Sequence, residues 1–282
     1  MKAYIKKLIK NILGLILSAS YKSRIGTFLS KQILGSAMQK NHTVSYNGVS
    51  MSFVVPNSLC EWRVKTFSTK EPETLEWIDM LPEGAIVWDI GANIGLYSIY
   101  GAMKRNCEIW AFEPSVFNLE LLARNIFVNN LTHKIKIVPL ALNDISGLNK
   151  MKMTTTEWGG AMSTFGKDFG WDGNTIKQVF IYTTLGVSME DAVSKLSIPH
   201  PEYIKMDVDG LEHIILKGGL NILKKARGIL IEVNDEFHDH AMQCSELLIR
   251  AGMVLKEKRH SDMMECSTTG FKNTFNQIWI RP

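Results

Sequence analysis

The chain has 282 residues, 45% of them hydrophobic and 21% charged, a balance that excludes a disordered protein and fits one large α/β domain with an appendage. Its four cysteines (Cys60, Cys107, Cys244 and Cys266) are scattered without a C-x-x-C pair, which excludes a zinc ribbon or disulfide scaffold and points to a reducing, cytoplasmic compartment. Between Met1 and Cys60 stand seven lysines, one arginine and no acid, so with a net charge of +4 the remainder carries −4.

Residues 1–40 read as a basic, amphipathic helical arm. Ile5, Leu8, Ile9, Ile12, Leu13 and Ile16 recur at helical spacing, accompanied by Lys2, Lys6, Lys7 and Lys10. That composition suits a helix lying in a membrane interface, with residues 1–20 in peripheral contact with anionic lipid at the inner face. The longest uncharged stretch, Asn11 to Tyr21, is too short for a spanning helix of about 20 residues. A signal peptide ending near Leu17-Ser18-Ala19-Ser20 and a helix packed on the domain or a partner remain alternatives. No nucleic-acid partner is expected, because the body is net acidic and backbone binding wants a basic surface.

Residues 41–282 read as a single Rossmann-like domain. His42 to Val55 alternates around Asn47-Gly48, which predicts a hairpin. A short helix, Thr74 to Met80, precedes the first core strand, Ile86 to Asp89. A glycine turn and a helix from Leu96 follow, then a strand from Glu108 to Glu113, a helix from Val116 to Asn130 and a strand from Ile135 to Pro139. Residues 143–185 break the regularity with an aromatic, glycine-rich stretch, read as inserted strands and a loop over the site. Alternation resumes with helix Met189–Leu196, strand Tyr203–Asp207, helix Glu212–Leu216, strand Ile229–Val233 and helix Ala241–Gly252. Strands at Met253–Lys256 and Gln277–Ile280 close the sheet. Strands alternating with helices predict a doubly wound, mostly parallel sheet.

The turn Asp89-Ile90-Gly91-Ala92-Asn93-Ile94-Gly95 joins strand to helix and brings backbone N–H groups to a ligand. Glu113 ends the next strand, roughly 20 residues on, where an acid hydrogen-bonds a nucleotide ribose. The turn lacks the third glycine of a dinucleotide site, which favours a cofactor with an adenosine and no phosphate: S-adenosylmethionine, its ammonium facing Asp89. Ligands of open α/β sheets bind beyond the carboxyl ends of the strands. Asp89, Glu113, Asp207 and Glu232 stand at four of those ends, with Asn143 and Asp144 just past the third strand.

Asp207 is a general base for a hydroxyl proton or, with Glu232, Asn234 or Asp235, a ligand of Mg²⁺. Glu212 starts a helix, where capping and catalysis are both open readings, and Asp209 reads as a turn residue. His213 reads as buried support. His238 is a base, a metal ligand or a solvated loop residue. Trp158 and Trp171 stack on sugar faces or belong to the core.

Taken in order, VWDIGANIGLYS, WAFEPSVFNLELLARN, VPLALND, the SMEDAV segment, YIKMDVDGLEHIILKGG and ILIEVN resemble the FkbM-type family of S-adenosylmethionine-dependent methyltransferases. They run from about Val87 to Asn234. The resemblance implies a class I methyltransferase fold and transfer of a methyl group to a hydroxyl of a sugar or natural product. It implies Asp89, Gly91, Asn93 and Gly95 on the methionine side, Glu113 on the ribose, and Asn143 or Asp144 near the adenine. Asp209 stands where the family usually has glutamate, and Met189-Glu190-Asp191 replaces leucine-aspartate-aspartate. The expected activity is O-methylation of a glycan, glycolipid or small-molecule acceptor, with Asp207, Glu232 and Glu212 as catalytic residues. The alternatives are a lipid or protein methyltransferase and a non-catalytic scaffold at the membrane.

Overall fold

A computed structural model describes residues 2–265 and 270–282; Cys266 lies outside the described residues. The arm forms two helices, α1 (Lys2–Ser20) and α2 (Arg24–Gln39), the second capped by the Ser23 hydroxyl accepting from Gly26 N. Strands β1 (Asn41–Tyr46) and β2 (Val49–Val54) form a hairpin. Asn47 and Gly48 both take positive φ, as a two-residue hairpin turn requires.

Three short helices come next: α3 (Ser58–Lys65), α4 (Phe67–Lys70) and α5 (Pro72–Asp79). Only the last has a counterpart in the expectations: α4 is a single turn, and α3, though as long as α5, lacks the one-sided apolar stripe that α5 carries. Then β3 (Ile86–Ile90), α6 (Leu96–Lys104), β4 (Glu108–Phe112), α7 (Val116–Val128) and β5 (Ile135–Val138) alternate. Four strands interrupt the alternation: β6 (Ala141–Leu142), β7 (Gly147–Met153), β8 (Thr164–Phe165) and β9 (Phe180–Val187). They form a separate sheet in the order β6-β9-β7-β8. The chain then returns through α8 (Met189–Ser194), β10 (Tyr203–Met206), α9 (Glu212–Lys217), α10 (Leu220–Leu223) and β11 (Gly228–Asn234). Last come α11 (His238–Arg250), β12 (Val254–Arg259), α12 (Asp262–Glu265) and β13 (Thr274–Ile280).

The seven-stranded sheet has the order β12-β13-β11-β10-β3-β4-β5. From β11 to β5 all pairs are parallel, while β13 runs antiparallel to β11 and β12. This is the doubly wound, mostly parallel sheet that the alternation predicts. Strand order reverses between β3 and β10, the point where such sheets bind ligands.

Each face carries its own core. One face holds Val87, Ile109 and Leu230 against α5, α6 and α7, with Met51 and Phe53 of the hairpin. The other holds Trp88, Ile90, Ile204, Met206 and Ile231 against α8 to α11. Side chains alternate faces along a strand, so Asp89, Lys205 and Glu232 all point to the first face. Asn125 and Asn129 of α7 fasten the hairpin there, accepting from Val54 N at 2.8 Å and Ser52 N at 2.9 Å. Cys60, Cys107 and Cys244 are buried and free, as small hydrophobes in the core.

Candidate active site

The turn after β3 is set by two glycines in left-handed backbone. Gly91 has φ +85°, and a Cβ there would lie 1.8 Å from the Asp207 carbonyl oxygen. The chain leaving β3 therefore presses directly on the chain leaving β10, an approach open only to glycine. Gly95 has φ +86° and would meet Leu122 Cδ1 at 2.6 Å, which seats α6 against α7. Between them, Asn93 also takes positive φ, aiming its N–H at Glu113.

Glu113 is the anchor of the site. Its Oε2 accepts from Asn93 N and its Oε1 from Ser115 N, both at 2.7 Å. Burial pushes its carboxyl up to about 7, against the pull of these two donors. A carboxylate offers about four lone-pair positions, so acceptor capacity remains beside Asn93 N, Ser115 N and the Asn118 side chain.

Beside it opens a cavity, partly open to solvent, lined by Gly91, Asn93, Glu113, Asp207 and Asp209 on its polar side. Phe112, Leu140, Ala141, Leu142 and Phe165 supply apolar walls. The inserted segment roofs it. Asn93 and Asn118 both donate to Gly160 O, at 2.8 and 3.0 Å, and Gly159 N donates back to Asn118 at 3.0 Å. Met162 N donates to Asp209 Oδ2 at 2.5 Å. The roof is thus strapped to the loops after β3, β4 and β10. Ser163 also lines the cavity, and its buried hydroxyl has no protein partner among the described residues. S-adenosylmethionine fits this donor set: a buried carboxylate with spare acceptors for a ribose, apolar walls for an adenine, and an unpaired hydroxyl.

A second group of charges adjoins Asp207. Carboxylate oxygens of Glu71, Asp207 and Glu232 lie within 4.8 Å of one another, an arrangement that could hold a metal ion. Two lysines are built into the group. Lys70 pairs with Glu71, and Lys205 stands 3.6 Å from both Asp89 and Asp207. Burial alone would lower the pKa of Lys205, but the carboxylates outweigh it and hold the ammonium charged. Glu71 is pulled down to about 2 because Lys70 and Lys205 outweigh its own burial. Glu232 moves the other way: burial and the Asp207 charge hold its carboxyl well above the ordinary range. Asp207 is raised by burial and by Glu71 despite Lys205. Asp209, on the cavity side, is pushed up to about 7 by burial and Asp207.

Glu212 shapes the loop that carries these acids. Its Oε1 accepts from Val208 N at 2.9 Å and its Oε2 from Gly210 N at 3.1 Å. His240 Nε2 completes the clamp at 2.7 Å, both side chains being 1% exposed. Burial would raise the Glu212 carboxyl, but its bond to His240 and the charge there win and leave it below the ordinary range. With its two oxygens committed to this loop and to His240, Glu212 is a clamp and does not line the cavity.

The structure brings Gly91, Asn93, Glu113 and Asp207 to the cavity and separates other expected residues from it. Asp89 instead accepts from the Ser98 hydroxyl at 2.5 Å and lines a small second cavity with Trp77, Tyr97 and Lys205. Gly95 sits behind the turn against Leu122. Asn143 and Asp144 pack on the α9–α10 junction, where a Cβ on Gly218 would meet Asn143 O at 2.5 Å; Leu140, Ala141 and Leu142 reach the cavity in their place. Asn234 does not join the carboxylates. Its amide is used by Trp171 O and Glu236 N, at 3.2 and 3.0 Å, and Glu71 occupies the third position. His238 is exposed on α11. His213 is buried against Phe169, Phe237 and His240. Trp158 packs on the core and donates to Glu120 at 3.2 Å.

Sequence reasoning did not find Lys70, Glu71 or Lys205. Glu71 and Lys70 come from short helices far along the chain from the motifs. Lys205 carried a signal, since a lysine inside an otherwise apolar strand demands a buried partner.

The sequence profile of the methyltransferase FkbM domain matches residues 89–252. The hexuronic acid methyltransferase AglP of Haloferax volcanii is 25% identical over 192 residues, 67% of this chain and 72% of that one. The methyltransferase sdnD of Sordaria araneosa is 37% identical over 70 residues, 24% of this chain and 26% of that one. Among solved structures, a precorrin-6y C5,15-methyltransferase from Geobacter metallireducens GS-15 superposes with a TM-score of 0.42 at 13% identity, covering 74% of this chain and 85% of that one.

Proposed function

The chain belongs to the FkbM methyltransferase family and is an S-adenosylmethionine-dependent methyltransferase, and from that premise we propose that it methylates a hydroxyl of a sugar in a glycan or glycolipid precursor. The observation that carries this reading is the carboxylate group beside the cavity: Asp207 on its wall, with Glu232 and Glu71 within 4.8 Å. Acids of that kind suit removal of a hydroxyl proton. The relative in Haloferax, by its name, acts on a hexuronic acid, which supports a sugar as the acceptor.

The cofactor supplies an electrophilic methyl group when bound. Glu113 accepts the ribose hydroxyls on its free lone pairs, and Phe112, Leu140 and Leu142 receive the adenine. The roof around Gly160 excludes water. Asp207 takes the proton of the acceptor hydroxyl, and the neighbouring Lys205 charge opposes its burial and favours the ionised form that can accept it. Glu232 shares that proton, since two carboxyls this close do not both ionise readily. Lys70 and Lys205 provide the positive charge that Mg²⁺ would bring to these acids, so no step is assigned to a metal. Transfer is expected to proceed equally with EDTA and with added Mg²⁺.

The test is transfer of a tritiated methyl group to methyl glucoside and methyl glucuronoside, followed by mild alkali. Label that survives alkali is an ether on a hydroxyl. Label released by alkali is a carboxyl ester and overturns the hydroxyl reading. Asp207→Asn should lower kcat by about 10²- to 10⁴-fold, the usual worth of a general base, with S-adenosylmethionine affinity held within about threefold. Label on extracted lipid or protein, with none on the sugars, favours the second reading, a lipid or protein acceptor.

A further inference from the structure

We propose that α1 is a membrane-surface anchor that binds bilayers containing anionic lipid. The helix lies outside both cores of the domain. Its large apolar residues, Ile5 through Leu17, are 47% to 70% exposed, and those of α2 are 52% to 74% exposed. Side chains this apolar are rarely left in water as a contiguous face.

The face is continuous and has one edge of charge. At 3.6 residues per turn, Ile5, Leu8, Ile9, Ile12, Leu13 and Ile16 fall on one side of α1. Positions 6, 7, 10, 11, 14, 17 and 18 fall on the other: three lysines, an asparagine, a glycine, a leucine and a serine. Such a helix lies along an interface with its apolar side in the acyl boundary and its lysines at the headgroups. Among the described residues no helix is long and apolar enough to cross a membrane, which leaves the surface orientation.

Charge selects the occupant. The first sixty residues hold eight positive charges and no negative one. Pairing two arms from two copies would bring like charges together. An anionic lipid surface complements them, at about 1 kcal/mol for each lysine near the surface. The Ser23 cap and the contact of Gly26 with Ser20 O fix α1 against α2, and the β1–β2 hairpin joins both to α7 through Asn125 and Asn129.

The experiment is co-sedimentation of the full chain with vesicles of phosphatidylcholine alone and of phosphatidylcholine mixed with phosphatidylglycerol. The expected result is binding to the mixed vesicles, weakened by salt. The double substitution Lys6→Glu with Lys10→Glu should reduce partitioning by at least about 25-fold, fivefold for each lysine lost. Ile9→Asp with Ile16→Asp should abolish it. Affinity for S-adenosylmethionine, measured in parallel, should stay unchanged in all variants and so report an intact domain. Equal binding to both vesicle types, no binding to either, or indifference to the lysine substitutions overturns the proposal. A dimer by light scattering that the isoleucine substitutions dissolve, without vesicle binding, assigns the face to a second copy instead.

Discussion

Gly91→Ala tests whether the close contact between the loops after β3 and β10 holds the cofactor site together. Gly84 provides a control within the same molecule. Both glycines sit in left-handed backbone, at φ +85° and +76°, so both alanines incur the same conformational strain, about 1–2 kcal/mol. Nothing lies within 4 Å of a Cβ at Gly84, whereas one at Gly91 would sit 1.8 Å from Asp207 O and 2.9 Å from Asp207 C. An ordinary carbon–oxygen contact is about 3.3 Å, so the two loops must part by roughly 1.5 Å. That is overpacking against backbone, worth about another 1–3 kcal/mol.

Gly84→Ala should therefore lower Tm by about 2–8 °C, at about 2–4 °C per kcal/mol for a chain near this size, and leave S-adenosylmethionine binding alone. Gly91→Ala should lower Tm further. It also displaces the N–H of Asn93 from Glu113, 2.7 Å away, and should weaken cofactor binding about 10- to 100-fold, or about 1.4–2.8 kcal/mol. Scanning calorimetry and isothermal titration read the two effects separately. If Gly91→Ala melts with Gly84→Ala and binds cofactor within about twofold of it, the contact carries nothing and the reasoning is refuted.

Four further outcomes are expected. Glu113 is held near 7 by burial, so its carboxylate form, which accepts ribose hydroxyls, fills as pH rises; titrations at pH 6, 7 and 8 should show affinity rising, and Glu113→Gln should lose at least about tenfold at pH 8. The same shift makes the unliganded protein less stable as pH rises from 4.5 to about 7, because the folded carboxyl keeps a proton that the unfolded one releases; the loss approaches about 3 kcal/mol and disappears in Glu113→Gln melts. Glu212 is held below the ordinary range, so its contribution is present above pH 4.5 and lost as pH falls through the lower folded value. Glu212→Ala should cost about 3–5 kcal/mol at pH 7 and lower kcat through the loop that carries Asp207, whereas a Tm unchanged by Glu212→Ala would sink the clamp. Lys205→Met strands Asp89 and Asp207 without their shared cation and should destabilise by about 3–5 kcal/mol at pH 7, with partial recovery in acid where the carboxylates protonate; a melt independent of pH would contradict it.

The sheet was legible because apolar strands ending in acids alternate with amphipathic helices, a pattern that depends on local periodicity alone. Helices α3 and α4 were not legible: α4 is a single turn, and α3 has no one-sided apolar stripe although it is as long as α5. The Asp89 turn and Glu113 could be read from spacing, but the bond from Asn93 N to Glu113 could not. Asn143 and Asp144 stand just past a strand end, yet in that part of the chain Leu140, Ala141 and Leu142 line the cavity. The chain makes β6 there, and Asn143 N donates to Val187 O at 2.9 Å, which turns both residues toward α9 and leaves Leu140 to Leu142 facing the cavity. Asn234 likewise stands at a strand end, and its amide bonds Trp171 O and Glu236 N.

The residues that sequence reasoning missed share a physical cause. Asp89, Lys205 and Glu232 occupy three neighbouring strands and, by the alternation of side chains, share the face on which α4 and α6 pack. Asp89 pairs in register with Lys205 across β3 and β10. No local pattern announces that a lysine in one strand answers an aspartate more than a hundred positions earlier; only the parallel register brings them together. Glu71 and Lys70 join the group as a pair of no net charge, so four acids face two lysines, and the excess is relieved at Glu232, whose carboxyl burial and the Asp207 charge hold well above the ordinary range. The acid at the end of β10 then works in a field set by two buried ammonium groups, and that field keeps Asp207 from rising as far as burial and Glu71 would push it. Removing Lys205 should therefore raise the Asp207 pKa and move the acidic limb of the kcat profile to higher pH, an effect that a purely structural lysine would not produce.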